Sequence, residues 1–428
     1  MTFKQHLLSW MNEKEINELV SSLNEEKSKH AVLLNTNKIS DEKFKELFPN
    51  VNPHPIVNHA YLYDKDEYDL GKNILHELGA YYLQDPSAMC VSYLLGISPN
   101  EKVLDLCAAP GGKTVQASMT LNRTGLLISN DLSHQRAGLI LQNVERLGLG
   151  NVVITNNDFS TIYKDYYEHF DKIILDAPCS GSGMFRKQRE MEDDWSYQKV
   201  IKFSEIQKEL IKIAYFMLKP GGKLIYSTCS FSKEEDEDVV EELLKNSDAK
   251  IININNELFV KGENNLGFHL LPNVFPGEGH YICLLNKPGT IENTISKAEK
   301  FKANKFINNL NDNFINKFGD SLFYLENDDN LKKLSVIRKG VKLGELSGQI
   351  LKYDHHFATY VKSFDNELEI DLQSAIKYLS GESLNIKANK GFILLKYMGI
   401  NIDIAKSDGN IIKNRYPKYL RKKVNYLS

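Results

Sequence analysis

The sequence predicts an α/β protein built around a doubly wound parallel sheet. Short apolar strands alternate with helical stretches between about residues 100 and 230, which is typical of a parallel sheet with helices on both faces. The chain has 428 residues, too many for one compact domain. Apolar residues make up 42 % and charged residues 25 %, a mixture that excludes disorder throughout and a collagen-like structure.

Four segments are predicted along the chain. Residues 1–70 form an N-terminal, mostly helical extension, because apolar positions recur among charges over residues 1–30. Residues 71–288 contain the strand–helix alternation. An Asn- and Lys-rich linker covers residues 289–310, and residues 311–428 form a small mixed α+β domain.

The sheet elements follow one another in the central segment. Strands are predicted at residues 103–106, 126–130, 152–155, 172–175 and 223–227. Helices are predicted at residues 114–121, 133–147, 204–218 and 233–244. In the last segment, strands are predicted at 335–338, 392–397 and 401–405, with a helix at 372–379.

The cysteines and apolar segments indicate a cytoplasmic protein with no membrane span. No window approaches the roughly 18 apolar residues of a membrane helix, and the first residues do not have the pattern of a signal peptide. The five cysteines are Cys90, Cys107, Cys179, Cys229 and Cys283, and none forms a CxxC pair. We therefore expect reduced thiols, no disulfide framework and no metal site.

The first functional signal is VLDLCAAPGGKT, residues 103–114, in which an apolar strand meets a glycine-rich turn and a helix. Glycines let the backbone approach a ligand, and a helix N-terminus offers free N–H groups. A Walker A loop would need glycine where Cys107 stands, and the GxGxxG pattern of dinucleotide sites is absent. A nucleoside cofactor without a polyphosphate is favoured, and S-adenosylmethionine fits that description.

Acidic residues and thiols follow the later strands. Asp131 and Asp158 end two successive strands, where open α/β sheets bind ligands. Asp176 and Cys179 lie in LDAPCSGSG, and Cys229 lies in YSTCS, each directly after a strand. Because the carboxyl ends of parallel strands meet at one edge, we expect both thiols beside the nucleoside site and interpret them as catalytic.

Two charged segments receive different interpretations. The acidic run 234–238 is predicted to start a helix, with Ser232 and Glu235 as a capping box and no functional role. Residues 291–428 carry 23 basic and 16 acidic side chains, and residues 413–423 contain six basic residues and two tyrosines. This stretch is either a solvated tail or a segment that contacts phosphates and stacks on bases.

The motifs VLDLCAAPGGKT, FDKIILDAPCSGSG, IYSTCSFSKEEDE and PGEGHYICLL together resemble the Nop/Nol/Sun family of RNA cytosine-5 methyltransferases. Residues 81–87, YYLQDPS, resemble the element that leads into the catalytic domain of that family, so the resemblance covers about residues 70–285. It implies a Rossmann-like S-adenosylmethionine-dependent methyltransferase domain. Residues 409–421 are similar to the end of family members that modify bacterial 16S rRNA, which implies a PUA-like RNA-binding domain.

The resemblance also implies roles for individual residues. Asp131, Asp158 and Asp176 would line the cofactor site, Cys229 would be the nucleophile and Cys179 would assist product release. The loop expected to cradle S-adenosyl-L-methionine comprises Cys107, Ala108, Ala109, Pro110, Gly111, Gly112 and Lys113. The candidate RNA-binding residues are Lys413, Arg415, Tyr416, Lys418 and Arg421. The expected partner is ribosomal RNA, within the small ribosomal subunit, and the expected state is a monomer.

The implied chemistry explains why two thiols are needed. Carbon 5 of cytosine is a poor nucleophile, and addition of a thiolate to carbon 6 makes it enamine-like. A second group must then help remove the carbon 5 proton, while Asp176 could hydrogen-bond the ring near N3. The target base must leave its stack to reach such a site.

Alternative functions remain open at this point. The enzyme could methylate another RNA or DNA cytosine, since DNA enzymes use the cysteine of a PC motif as nucleophile. The protein could also be a non-catalytic rRNA-binding assembly factor, although the presence of both cysteines and Asp176 argues against that reading. The sequence does not identify the modified cytosine.

Overall fold

The structure is a computed structural model that describes residues 2–24, 29–291, 310–311, 314–326, 331 and 333–421. The predicted linker, 289–310, lies almost entirely outside the described residues, as do Lys422 and Lys423. Among the described helices, none combines the length and apolar character needed to cross a bilayer.

The N-terminal part contains the predicted helices and, in addition, a small sheet that the sequence analysis did not predict. Its four strands pair antiparallel in the order Asn52–Pro53, Ala60–Tyr63, His30–Leu34 and Tyr81–Gln84. They are two to five residues long, too short to give a clear alternating pattern. The elements are α1 Phe3–Leu7, α2 Glu13–Asn24, β1 His30–Leu34, α3 Asp41–Leu47, β2 Asn52–Pro53, β3 Ala60–Tyr63, α4 Ile74–Glu77 and β4 Tyr81–Gln84.

The central part contains every predicted strand and helix of the parallel sheet. The helix predicted at 204 starts earlier, at Tyr197, because the Ser196 side chain caps it by accepting from Lys199 N. The elements are α5 Pro86–Leu94, β5 Lys102–Asp105, α6 Gly112–Thr120, β6 Leu126–Asn130, α7 His134–Leu147, β7 Val152–Thr155, α8 Phe159–Ile162, β8 Phe170–Asp176, α9 Arg189–Asp193, α10 Tyr197–Met217, β9 Leu218–Thr228, α11 Glu237–Lys245, β10 Lys250–Ile251, β11 Val260–Lys261, β12 Phe268–Leu270 and β13 His280–Asn286.

Five parallel strands form the centre of this sheet, in the order β9–β8–β5–β6–β7. The antiparallel strands β13, β12 and β11 extend it beyond β9. Successive side chains point to opposite faces: Val103 packs in one core with residues of α5, α6 and α7, whereas Leu104 packs in another with residues of α10 and α11. The sheet is therefore doubly wound, as predicted.

The C-terminal part contains two four-stranded sheets. The predicted strands near 335, 392 and 401 and the helix 372–379 are all present. The elements are β14 Ile315–Phe318, β15 Ser321–Tyr324, β16 Val336–Lys339, β17 Val341–Ser347, β18 Ile350–Tyr353, α12 His355–Tyr360, β19 Glu367–Glu369, α13 Leu372–Leu379, β20 Gly391–Tyr397, β21 Ile400–Ser407 and β22 Ile412–Lys413. The sheet orders are β14–β15–β17–β18 and β19–β20–β21–β22.

The C-terminal part packs closely against the other two. Strand β16 adds antiparallel to β7, at the edge of the central sheet. A buried ion pair joins Arg338 to Glu145 of α7, with 2.6 Å between Nη2 and Oε1. One hydrophobic core contains side chains of both the N-terminal sheet and the sheet β19–β22. The three parts thus share cores and a sheet edge.

Candidate active site

The loop after β5 turns sharply into α6. Ala108 N donates to Asn130 O at 2.8 Å, which holds the loop against the end of β6. Gly111 has a φ of 109°, and a Cβ at this position would lie 3.3 Å from Ile140 Cα. Glycine adopts this positive φ without strain and, because it has no Cβ, leaves room for Ile140. Helix α6 starts at the next residue, so Lys113 projects from its first turn.

A cavity of about 470 Å³ lies at the carboxyl edge of the parallel strands. It brings together most of the side chains that the sequence predicted for the site. Those lining it are Cys107, Ala109, Asp131, Asp158, Asp176, Cys179 and Cys229. Leu132 and Phe159 add apolar surface. A polar edge beside an apolar wall suits a nucleoside-like ligand.

The two acids that follow β6 and β7 have different surroundings. Asp131 is buried, and its carboxylate accepts from Ala109 N at 3.2 Å and from Ser133 N at 2.9 Å. Arg136 lies 3.5 Å from the same carboxylate. Asp158 is exposed, and its carboxylate caps α8 by accepting from Ser160 N at 3.0 Å. Asp131 therefore fixes the glycine-rich loop, whereas Asp158 mainly stabilises a helix end.

Asp176 forms a tight pair with Lys113, with 2.5 Å between Oδ2 and Nζ. Its other oxygen accepts from Ser227 Oγ at 2.7 Å, and His280 Nε2 lies 3.9 Å from it. Burial alone would raise the pKa of Asp176, but the Lys113 ammonium and His280 hold the pKa below its usual value. Asp176 is thus an ionised acceptor in the floor of the cavity.

The two thiols contact each other in the lining of the cavity. Cys179 Sγ and Cys229 Sγ are 3.2 Å apart. Their loops are joined by hydrogen bonds from Gly183 N to Cys229 O at 2.7 Å and from Ala177 N to Ser227 O at 2.8 Å. Its contact with Cys229, together with burial, raises the pKa of Cys179 well above its ordinary value. Two adjacent thiols do not both ionise easily.

Family models match three successive parts of the chain. The model described as 16S rRNA methyltransferase RsmB/F matches residues 92–286. The N-terminal domain of 16S rRNA methyltransferase RsmF matches residues 1–86, and the methyltransferase RsmF PUA domain matches residues 365–422. The ribosomal RNA small subunit methyltransferase F of Vibrio vulnificus strain YJ016 is 31% identical over 427 residues, covering 91% of this chain and 90% of that protein. The chain belongs to the RsmB/F family of 16S rRNA methyltransferases.

A further curated relative and two solved structures are also similar to the chain. The protein of the same name from Shewanella oneidensis is 32% identical, covering 92% of this chain and 91% of that protein. A methyltransferase homolog protein from Pyrococcus horikoshii superposes with a TM-score of 0.59 at 26% identity, covering 66% of this chain and 93% of that one. NSun6 from Pyrococcus horikoshii with SFG has a TM-score of 0.61 at 20% identity, covering 66% and 97%. The predicted Rossmann-like fold and PUA-like domain are confirmed.

The predicted capping box is wrong, and its acidic run takes part in the site. Helix α11 starts at Glu237, later than predicted, and Asp236 occupies its N-cap without a side-chain hydrogen bond. Glu235 is fully buried and accepts from Ser180 N at 2.8 Å and Ser230 Oγ at 2.9 Å. It therefore connects the neighbours of both thiols. In the sequence, this role of Glu235 was indicated by the position of the acidic run directly after YSTCS.

Asp105 also escaped the sequence analysis. It is fully buried at the end of β5 and accepts from Thr114 Oγ1 at 2.7 Å. Its Oδ1 has no hydrogen-bond partner among the described residues. Burial, reinforced by the charge of Asp176, raises the pKa of Asp105 to about 7. The motif VLDLC contained this residue, but its burial could not be read from the pattern.

The predicted RNA-binding residues divide into two groups. Tyr416 is 4 % exposed and packs edge-on against His355, so the structure does not offer its ring to a base. Arg415 donates to Tyr353 O at 2.9 Å, and Arg421 donates to Tyr416 O at 3.1 Å. These three side chains make contacts within their own domain, and their role in RNA binding stays a prediction. The two other candidates, Lys413 and Lys418, are exposed.

Proposed function

We propose that this protein transfers a methyl group from S-adenosylmethionine to carbon 5 of cytosine in the ribosomal RNA of the small subunit, in the cytoplasm. The observation that carries the proposal is the pair of thiols, 3.2 Å apart, beside a cavity lined by Asp131 and Asp176. Membership of the RsmB/F family supports ribosomal RNA as the polymer that is methylated. The thiol pair supports cytosine-5 chemistry, because carbon 5 must be activated by addition at carbon 6.

The residues of the cavity fit such a cofactor. S-adenosylmethionine, when bound, supplies an electrophilic methyl group on a positively charged sulfur. Asp131 is placed to accept from ribose hydroxyls, as acids at strand ends do in nucleotide-binding sheets. The buried residue Asp105, whose Oδ1 has no hydrogen-bond partner among the described residues, ends the strand that enters the glycine-rich loop.

Cys229 is proposed as the nucleophile because the charges around the two thiols differ. The Lys113 ammonium interacts electrostatically with Cys229 and so stabilises negative charge there. Cys179 instead faces the carboxylate of Glu235, which adds to the rise in its pKa. The proposed nucleophile is therefore the thiol that lies near a cation.

Each remaining step uses residues of this site. The Cys229 thiolate adds to carbon 6, while ionised Asp176 accepts a hydrogen bond from the exocyclic amino group beside N3. Carbon 5 would then attack the methyl group, whose bond to the positively charged sulfur breaks, so that this sulfur leaves as a neutral thioether. The carbon 5 proton then passes to water, the Cys229–carbon 6 bond breaks, and its electron pair returns to the Cys229 sulfur. Cys179 lies close enough to assist this release.

The direct test is methyl transfer from labelled S-adenosylmethionine to 16S rRNA, with 23S rRNA and cytosine-containing DNA as controls. Bisulfite sequencing of the product then locates 5-methylcytosine. Label in 16S rRNA alone is the expected result. Label in DNA or at another RNA atom would replace the proposed substrate, and binding of rRNA without methyl transfer would indicate a non-catalytic assembly factor.

A further inference from the structure

A second polar cluster lies outside the catalytic cavity, next to the turn that carries Cys229. It consists of Asp236, Glu237 and His269, which are 0 %, 1 % and 0 % exposed. One ligand-type atom from each side chain lies within 4.8 Å of the others. Thr228 Oγ1 donates to Asp236 Oδ1 at 2.5 Å, which connects the cluster to the residue before Cys229.

The cluster has fewer donors than its buried oxygens require. Asp236 Oδ2, Glu237 Oε2 and His269 Nδ1 have no hydrogen-bond partner among the described residues. Buried carboxylate oxygens without donors are costly. The neighbouring Glu235 shows the contrast, because Ser180, Ser230 and Gln207 all donate to it. Glu235, one residue before the cluster, therefore does not share this shortage.

The nearby cations do not supply the missing charge. Lys233, the closest basic residue in the chain, pairs with Asp238 and Glu263 instead. Among the residues that the structure describes, no lysine or arginine forms an ion pair with Asp236 or Glu237. His269 Nε2 lies 2.8 Å from Glu237 Oε1, so one imidazole faces two buried carboxylates.

We propose that Asp236, Glu237 and His269 bind one divalent transition-metal ion, with Zn²⁺ as the representative ion. An imidazole nitrogen with two carboxylate oxygens is a ligand set that such ions accept. The metal would neutralise both carboxylates and use the oxygens that have no donor. The expectation of no metal site rested on the spacing of the cysteines, and the proposed ligands include no cysteine.

The proposed ion has a structural role. It would join the N-terminus of α11 to β12, which carries His269. The Trp10 ring stacks on His269 with 4.5 Å between ring centroids, and Trp10 Nε1 donates to Phe231 O at 3.0 Å. The ion would thus connect the start of α11 to His269, whose ring Trp10 of the N-terminal segment covers. The ion would stabilise the support of the Cys229 turn without contacting substrate.

The test uses the full chain purified without a metal-affinity column. Elemental analysis after desalting is expected to find one zinc ion per chain. A strong chelator should lower the melting temperature, and added Zn²⁺ should restore it, because a ligand that binds only the folded state stabilises it. Metal-free protein whose melting temperature does not respond to Zn²⁺ overturns the proposal.

A pair of variants separates metal binding from general damage. Asp236→Asn keeps the size of the side chain and adds N–H donors next to Glu237, so the variant should fold but retain no zinc. Asp238→Asn is the matched control, since Asp238 is partly exposed and pairs with Lys233. Its zinc content should equal that of the wild type. Equal zinc retention in both variants, or its loss from both, overturns the assignment of ligands.

Discussion

Cys179 Sγ lies 3.2 Å from Cys229 Sγ, although 50 positions separate the two residues in the chain. Neighbouring parallel strands explain the contact: β8 and β9 pair with Asp176 opposite Ser227, and each thiol follows its strand by a short turn. Glu235 then fixes the two turns by accepting from Ser180 and Ser230. The spacing of the thiols therefore depends on a buried acid that is not among the residues lining the cavity.

Glu235→Gln is expected to reduce kcat more than it raises KM. The amide group cannot accept all the hydrogen bonds that the carboxylate accepts from Ser180, Ser230 and Gln207. Loss of hydrogen bonds to a buried charged group should lower the free energy of unfolding by about 1.5–3 kcal/mol. Steady-state kinetics and denaturant unfolding measure both effects. Glu241→Gln, on the exposed side of α11, is the control, and identical behaviour of the two variants would refute the positioning role.

The sequence predicted the central sheet well because its strands are buried apolar runs bounded by turn residues. It predicted the site for the same reason, since motif residues at strand ends converge once the strands are parallel. Long-range pairing was not accessible: β16 joins β7 through Val336 and Thr155, far apart in the chain. Charge patterns also misled, because Glu235 points inward and Tyr416 is a core residue.

Asp131→Ala is expected to weaken S-adenosylmethionine binding about tenfold to a hundredfold. The change removes a charged acceptor for ribose hydroxyls, worth about 1.5–3 kcal/mol, and it also frees the Ala109 N–H that Asp131 holds. Calorimetry with the purified protein measures the affinity. Asp408→Ala serves as the control, because Asp408 is exposed in a turn of the C-terminal part, where its carboxylate accepts from Asn410 N and Ile411 N. An unchanged affinity of the Asp131 variant would remove this residue from the cofactor site.

Asp105→Asn is expected to change the pH dependence of the free energy of unfolding of the cofactor-free protein. Relative to the wild type, the variant should be more stable at neutral pH than at acid pH. The pKa of Asp105 is raised to about 7, so between the unfolded and folded pKa values the folded state holds a proton that the unfolded state has lost. The wild type therefore loses stability from about pH 4 to pH 7, by up to about 4 kcal/mol, and the variant lacks this loss. Urea unfolding of both proteins at pH 5 and pH 8 measures the difference. If the difference in unfolding free energy between the two proteins were the same at both pH values, Asp105 would not have a raised pKa in the folded state.

Lys413→Gln combined with Lys418→Gln is expected to weaken rRNA binding mainly at low salt. Both side chains are exposed, so they are free to contact phosphates. Removing two such contacts should reduce the slope of log affinity against log salt by about 1.5. Point substitutions are preferable to deleting the domain, because deletion would remove β16 from the central sheet. Lys377→Gln, at an exposed position of α13, should leave the slope unchanged. An equal effect of both changes would argue against a specific contact.

Cys229→Ala and Cys179→Ala are expected to fail at different steps. Without the nucleophile no addition to carbon 6 occurs, so Cys229→Ala should neither methylate rRNA nor form a covalent adduct. Without the residue that assists release, Cys179→Ala should add, transfer the methyl group and then remain attached to the RNA. Denaturing gels of each variant with unmodified 16S rRNA and S-adenosylmethionine should therefore show a shifted protein–RNA band for Cys179→Ala alone.

The charges around the thiols give this pattern a physical basis. Lys113 stabilises negative charge at Cys229, whereas Glu235 opposes it at Cys179. Lys113→Met should then slow adduct formation in the Cys179→Ala background, because the thiolate at Cys229 loses its neighbouring cation. Cofactor binding and melting temperature of each variant are measured alongside, so that a folding defect is recognised. An adduct in Cys229→Ala but not in Cys179→Ala would instead identify Cys179 as the nucleophile and reverse the proposed roles.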